Sequence, residues 1–207
     1  MILGATGPAG LKLVANALEK GHDVTAFVRT PSKLEISNKR LKVIKGDVLQ
    51  PDTIKQALVG QEVVISALGV GNSLKPNQLI ENAVGNLVPA MKAANVKRLI
   101  FLSAFGVGPT LKQASFIQRF AFSVPLKNIY KDKVIGERLI ENSGLDWTLV
   151  CPVVMTHGSF TGNYRAGETF NMTGMPSVSR ADVADFMVSQ ANSNQFLFKH
   201  VIVKGPA

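Results

Sequence analysis

The sequence predicts an α/β fold built on a doubly wound parallel sheet, followed by a small irregular C-terminal lobe. Two observations lead to this prediction. Short apolar runs alternate with longer amphipathic stretches up to Pro152, which is the pattern of a parallel sheet with helices on both faces. After Pro152 the alternation weakens, and the glycine-rich residues 152–180 are predicted to be irregular.

Six apolar runs are predicted to be the strands of this sheet. They are nearly continuous in Val, Ile, Leu and Phe, as is typical of strands buried on both faces. They cover residues 1–3, 24–28, 41–44, 63–68, 99–103 and 147–150, and the segment FLFKHVIV supplies a last strand. The first run is shorter than the usual ~5 residues, which leaves open that residues before Met1 are missing or disordered.

Amphipathic stretches between these runs are predicted to be helices, over residues 11–20, 51–58, 76–94 and 129–142. Pro51 and Pro76 open two of them, since the first N–H of a helix has no intrahelical partner. Gly21 and Gly144 are predicted to close two others.

One more helix is predicted in SRADVADFMVSQ, with Ser179 as its N-cap and Asp182 three residues on. The ends of the later strands therefore lead into a C-terminal lobe, where a substrate is expected.

Length and composition are those of one globular domain over residues 1–207, with residues 152–180 on its substrate side. No apolar run approaches the about 18 residues that a membrane span requires, so we expect no membrane partner. The net charge of +9 comes from scattered basic residues such as Lys112 and Lys131, without a dense run. This pattern favours a solvated basic surface, and no nucleic-acid partner is expected.

Cysteine and histidine are too sparse to predict a metal site. Cys151 is the only cysteine, which excludes an internal disulfide and fits the reducing cytoplasm. His22, His157 and His200 lie far apart, and their spacing matches no recognised set of metal ligands.

The opening segment MILGATGPAG carries three glycines, Gly4, Gly7 and Gly10, between the first predicted strand and a helix that begins near Pro8. A glycine-rich strand-to-helix turn points the free N–H groups of the helix start at one spot and lets a pyrophosphate approach without meeting a Cβ. Because strand, turn and helix agree, the motif predicts dinucleotide binding rather than a tight structural turn.

The second strand ends in FVRTPSKL, where an acidic residue would bind the ribose of NAD. Arg29 stands there instead, with Lys33 one turn later. A guanidinium suits a 2′-phosphate, so NADP(H) is predicted in preference to NAD(H), the alternative being solvated loop cations. After the third strand, Asp47 is placed where the adenine should rest, unless it only caps a turn.

Seven segments together resemble the atypical short-chain dehydrogenase/reductase group in its NmrA-like branch, and within it the biliverdin-IXβ and flavin reductases. They are GATGPAG, VRTPSKL, GDVLQ, ALGVGNSLKP, AMKAANVKRLIFLSAFG, ENSGLDWTLVCP and SRADVADFM. The glycine motif is common to the superfamily, whereas GDVLQ and SAFG are more specific.

The resemblance implies a Rossmann-like domain that binds NADPH and passes hydride to a flat acceptor. By matching position, the implied cofactor-binding residues are Gly4, Thr6, Gly7, Pro8, Ala9, Gly10, Arg29, Lys33, Asp47, Val48, Leu68, Gly69 and Ser103. Further candidate cofactor-binding residues are Lys133, Pro152 and Val153. Ser103 and Lys133 are also the candidate catalytic residues, Ser103 beside the nicotinamide and Lys133 near its ribose. Their alternatives are a strand-end cap and a solvated helix lysine.

Two positions depart from the reductase pattern. Lys133 and Val154 stand where the reductase has histidines, which weighs against biliverdin more than against hydride transfer. Phe105, Phe116, Phe120 and Phe122 follow the Ser103 strand and either line a flat pocket or pack in the core or a lid.

The Tyr-x-x-x-Lys motif of ordinary short-chain dehydrogenases is absent. Tyr130 is followed at that spacing by Val134, and Tyr164 by Glu168. Lys133 comes three residues after Tyr130, about 100° from the usual helical placement. Flavins and quinones accept hydride with little acid catalysis, so they are favoured over simple ketones.

Two functions remain open from the sequence. The first is an NADPH-dependent reductase of flavin-like or quinone-like acceptors. The second is a non-catalytic NADP(H) sensor that binds a partner protein, as NmrA-like regulators do. In either case a small molecule is bound, and the chain is expected to be a monomer or a weak homodimer.

Overall fold

A computed structural model describes residues 1–69, 78–114 and 127–206 of the chain. Its strands are β1 (Ile2–Leu3), β2 (Val24–Val28), β3 (Leu41–Lys45), β4 (Val63–Ser66), β5 (Arg98–Leu102), β6 (Asp146–Pro152), β7 (Val154–Thr156), β8 (Arg165–Gly167), β9 (Ser177–Ser179) and β10 (Lys199–Lys204). Its α-helices are α1 (Pro8–Glu19), α2 (Pro51–Ala57), α3 (Leu79–Ala93), α4 (Lys127–Glu141) and α5 (Arg180–Ser189).

The main sheet has eight strands in the order β3-β2-β1-β4-β5-β6-β10-β8. Every neighbouring pair is parallel except β10 and β8, which are antiparallel. The order reverses at β1, whose Ile2 is paired with Ala26 on one side and with Ile65 on the other. Such a reversal opens a crevice at the carboxyl ends of the strands, which is where this architecture binds ligands.

Helices cover both faces of the sheet, as the sequence predicts. On one face α1 and α5 pack together over a core that includes Leu13 and Met187. On the other face α2, α3 and α4 cover a second core that includes Leu87 and Ile140. The predicted doubly wound α/β fold is therefore confirmed. Among the described helices, none combines the length and the apolar character needed to cross a bilayer.

The helix ends agree with the capping signals wherever the structure describes them. Pro8 and Pro51 are the first residues of α1 and α2, and Gly21 and Gly144 adopt positive φ just beyond α1 and α4. Pro76 lies outside the described residues, which resume before α3 at Gln78.

The irregular stretch predicted over residues 152–180 is partly wrong. Two three-residue strands, β7 and β9, form a small parallel sheet of their own, and β8 extends the main sheet beside β10. Each of these strands is too short to show an apolar period, and its partner is distant in sequence. Ser179 caps α5 as predicted, because its Oγ accepts the N–H of Asp182 at 2.9 Å.

Candidate functional site

The glycine turn joins β1 to α1 at the point where the strand order reverses. The N–H of Gly7 donates to the carbonyl of Gly4 at 3.0 Å, and Gly4 has a φ of 73°. Gly7 is the N-cap of α1 and has no side chain to engage the first N–H groups of the helix. Those groups are therefore suited to hold an anion.

The three glycines have different reasons to lack a side chain. A Cβ on Gly4 would lie 2.7 Å from the carbonyl oxygen of Ala67, and a Cβ on Gly10 would overlap the carbonyl of Gly4. A Cβ on Gly7 would meet only the Gly4 oxygen, at 3.3 Å, and would otherwise extend into open space. Gly4 and Gly10 therefore allow close backbone packing, whereas the space beside Gly7 is open.

A groove of about 380 Å³ opens beside this turn, at the carboxyl ends of β1, β2, β3 and β4. The predicted cofactor residues that line it are Gly4, Thr6, Gly7, Arg29, Lys33, Asp47, Val48, Leu68 and Gly69. Pro8, Ala9 and Gly10 are not among the lining residues, because they already belong to α1, and Gly10 is buried against Gly4.

Two cations stand at one side of the groove. Arg29 follows β2 directly, and Lys33 ends the 3₁₀ turn Pro31–Lys33. Both residues are exposed, and among the described residues no hydrogen bond or ion pair engages either side chain. The pair is thus available to an anionic ligand in the groove.

Asp47 makes the turn contact that was the alternative to adenine binding, and it also borders the groove. It lines the groove, but its Oδ1 also accepts the N–H of Leu49 at 3.0 Å, which is a turn contact. The main chain of Asp47 is further fixed by the Thr53 hydroxyl, which donates to its carbonyl at 2.9 Å. The turn is therefore rigid, and one carboxylate oxygen is already occupied within it.

Ser103 lies just beyond β5, on the same edge of the sheet as the groove but outside its lining residues. It is buried, its N–H donates to the carbonyl of Val150 at 2.7 Å, and its hydroxyl donates to Oε1 of Glu137 on α4. The Ser103 hydroxyl therefore joins the end of β5 to α4, a contact beyond the strand-end cap that was its alternative role.

Glu137 is a residue that the sequence reasoning missed. It is only 2% exposed, and its Oε2 has no hydrogen-bond partner among the described residues. Burial raises the pKa of Glu137, although the hydrogen bond from Ser103 opposes this shift. In the sequence, the one signal that could have identified Glu137 is an acidic residue on the inward face of the predicted helix 129–142.

Lys133 is not a solvated helix lysine. It is partly buried, and its Nζ donates to the carbonyl of Leu102, the last residue of β5, at 3.2 Å. Burial lowers its pKa, and the nearby carboxyl of Glu137 is the largest effect in the opposite direction. Lys133 and Ser103 thus meet at the same end of β5.

Tyr130 lies one turn before Lys133 on α4 and faces the same region. Its hydroxyl donates to the carbonyl of Phe105 at 3.1 Å, and burial raises its pKa to about 12. Phe105 itself is buried in the core. The other members of the predicted phenylalanine cluster, Phe116, Phe120 and Phe122, lie outside the described residues.

Pro152 and Val153 are not placed in the groove. The carbonyl of Pro152 accepts the N–H of Phe105 at 2.9 Å, and the N–H of Val153 donates to Val203 at 3.1 Å. Both residues are buried at the end of β6. The hydrogen bonds of these two residues fix the end of β6, which leads into the C-terminal lobe.

Curated proteins that are similar in sequence to this chain include assembly factors and reductases. Photosystem II assembly factor Ycf39 of Cyanophora paradoxa is 30% identical over 156 residues, which are 72% of this chain and 43% of that protein. Isoflavone reductase of Medicago sativa is 26% identical in an alignment that covers 100% of this chain and 70% of the reductase. The chain spans about half the length of its Ycf39 relatives, at 43% and 56% of them.

Solved structures share the whole fold. A Rossmann-fold NAD(P)-binding family protein from Shigella flexneri has a TM-score of 0.74 and 27% identity, over 100% of this chain and 92% of that one. ChuY, an anaerobilin reductase from Escherichia coli O157:H7, has a TM-score of 0.82 at 21% identity, over 99% and 96%. Residues 4–194 match the model of the NAD(P)H-binding family, and with the glycine turn and its groove at the expected place, the chain belongs to that family.

Proposed function

We propose that the protein is an NADPH-dependent reductase that passes hydride to a flat acceptor such as a flavin or a quinone. The observation that carries the proposal is the groove, in which a glycine turn without a side-chain cap faces two exposed cations, Arg29 and Lys33. The open space at Gly7 fits a pyrophosphate, and the cations fit a 2′-phosphate. When bound, NADPH supplies the hydride.

The chain's own residues position the reactants. The first N–H groups of α1 and the backbone at Gly7 hold the pyrophosphate, and Asp47 and Val48 border the adenine side. Ser103 is held by its bonds to Val150 and Glu137, and from this fixed position it would orient the reactive end of the cofactor. Lys133 lies at the end of β5, where its ammonium group would stabilise negative charge on an acceptor bound there.

An acceptor panel tests the activity. We expect NADPH absorbance to decay with FMN or a quinone and to change little with aliphatic ketones. Ser103→Ala is expected to slow the decay with little effect on the affinity for NADPH, and Lys133→Ala is expected to have a smaller effect. Confirmed NADPH binding without decay in the presence of any flavin, quinone or tetrapyrrole contradicts the reductase proposal.

Calorimetry tests the groove and the choice of cofactor. We expect at least tenfold tighter binding of NADPH than NADH, worth about 1.4 kcal/mol, and Arg29→Ala should remove most of this preference. Lys92→Ala is a matched control, since Lys92 is exposed on α3 and does not line the groove. Gly7→Val should abolish dinucleotide binding in a folded protein, and normal binding by that variant would place the phosphate elsewhere.

A non-catalytic NADP(H) sensor is the second candidate. The hydroxyls of Ser103 and Tyr130 both donate to groups of the chain itself, which leaves less for catalysis. The name of the Ycf39 relatives, an assembly factor, also fits a protein that acts by binding. NADPH binding that changes the affinity for a protein partner, together with no turnover, favours this function.

A further inference from the structure

Three potential metal ligands converge behind Ser103 from three different elements. They are Glu137 on α4, Cys151 on β6 and His200 on β10. One carboxylate oxygen, the Sγ and one ring nitrogen lie within 4.8 Å of one another. Because the three residues are 14 and 49 positions apart along the chain (151 − 137 and 200 − 151), their sequence spacing gives no indication of this cluster.

Two atoms of the cluster lack partners. Within residues 1–69, 78–114 and 127–206, neither Oε2 of Glu137 nor Nδ1 of His200 has a hydrogen bond, although both atoms are buried. Leaving two buried polar atoms unpaired costs free energy. A ligand bound by both atoms would remove this cost.

The other atoms of the same two side chains are held in place. Nε2 of His200 lies 2.7 Å from Oε1 of Glu141, and a neutral imidazole that donates through Nε2 to this carboxylate carries its lone pair on Nδ1. The Ser103 hydroxyl donates to Oε1 of Glu137, which leaves Oε2 free. A carboxylate behind a ligating histidine is the usual outer-shell arrangement at zinc sites.

We propose that Glu137, Cys151 and His200 bind one zinc ion. Thiolate, imidazole and carboxylate are the ligands of Zn²⁺ in proteins, and three protein ligands leave a fourth tetrahedral position for water. Ligand atoms around zinc lie about 3.5 Å from one another. The three atoms here are separated by at most 4.8 Å, so small side-chain movements would bring them to that distance.

The charges of the cluster agree with a divalent ion. Zn²⁺ with one thiolate and one carboxylate is neutral, which suits a buried site between α4 and the sheet. The nearby Lys133 then faces a neutral centre rather than a bare cation. Cys151 is completely buried, so it is not a surface thiol available for adventitious metal.

Metal analysis of the chain of residues 1–207 tests the site. The protein is stripped with a chelator, reloaded with Zn²⁺ or Co²⁺ and freed of unbound ion. We expect one metal per chain by mass spectrometry, a thiolate-to-cobalt charge-transfer band, and a higher Tm with zinc than without. Wild-type protein that retains no metal, or a cobalt complex without the thiolate band, overturns the proposal.

Three variants make the test specific. Cys151→Ser should abolish the charge-transfer band, and His200→Gln should reduce metal retention at least tenfold. His157→Gln is the matched control, because His157 is exposed and outside the cluster, and it should load like the wild type. If Cys151→Ser does not fold, as judged by circular dichroism, His200→Gln alone decides, and full metal retention by it overturns the proposal.

Discussion

Two buried carboxylates, Asp182 in the C-terminal lobe and Glu137 on α4, differ in how many hydrogen bonds they accept. Asp182 is 3% exposed and Glu137 is 2% exposed. The carboxylate of Asp182 accepts from the N–H and hydroxyl of Thr161, the N–H of Gly162 and the hydroxyl of Ser179, at 2.8 to 3.1 Å. Glu137 accepts from Ser103, and its second oxygen has no partner among the described residues.

The two pKa shifts follow from this difference. Burial by itself would raise the pKa of Asp182, but the hydrogen bonds from Thr161, Ser179 and Gly162 outweigh it and lower the pKa. At Glu137 burial dominates, and the pKa is raised. A fully bonded carboxylate stabilises the fold, whereas an incompletely bonded one costs stability and is expected where the protein acts.

The largest loss in the free energy of unfolding is expected from Asp182→Asn. The amide keeps one acceptor oxygen for the N–H groups of Thr161 and Gly162, but its NH₂ group replaces the oxygen that accepts from the hydroxyls of Thr161 and Ser179. Loss of charge-assisted hydrogen bonds should lower the free energy of unfolding by about 3 kcal/mol. Urea denaturation measures it. A loss below that of the cap variant Ser179→Ala, about 1 kcal/mol, would contradict the anchoring role of Asp182.

An intermediate loss in the free energy of unfolding is expected at acid pH. Asp185 on α5 accepts from Tyr164 at 2.7 Å and pairs with Lys20 at 2.7 Å. Burial alone would raise its pKa, yet these bonds lower it, as they do at Asp182. A carboxyl group with a lowered native pKa contributes stability that is complete above the unfolded pKa of about 3.9 and is lost as the pH falls through the native value.

Urea denaturation between neutral and acid pH measures this dependence. The wild type should lose stability below the ordinary aspartate pKa, and Asp185→Asn should lose less of it over the same range. Equal acid sensitivity of the two proteins would show that the α1–α5 contact around Asp185 does not carry the effect. Lys55, in an exposed pair with Asp52, offers a control: Lys55→Ala should leave the pH dependence unchanged.

The sequence predicted the sheet, the helices and the groove because each depends on local patterns. The strand that begins at Val24 and the turn at Gly4 can each be recognised from a few consecutive residues. The cluster of Glu137, Cys151 and His200 was not predicted, because it depends on side chains from three elements meeting across the core. The short strands β7, β8 and β9 were missed for the same reason, since only tertiary pairing defines them.

The smallest effect on stability is expected from Glu137→Gln, the counterpart of Asp182→Asn. Glutamine keeps the acceptor for the Ser103 hydroxyl and removes an acid whose pKa is already raised by burial. The metal-free protein should therefore change in free energy of unfolding by no more than about 1 kcal/mol. Urea denaturation after chelator treatment measures this, with Asp182→Asn in parallel. If Glu137→Gln destabilises the fold as much as Asp182→Asn does, both carboxylates are structural anchors, and the contrast between the two regions fails. If only Asp182→Asn is costly, Glu137 is retained for a reason other than stability, and the assays of turnover and metal binding can be read without correction for unfolding.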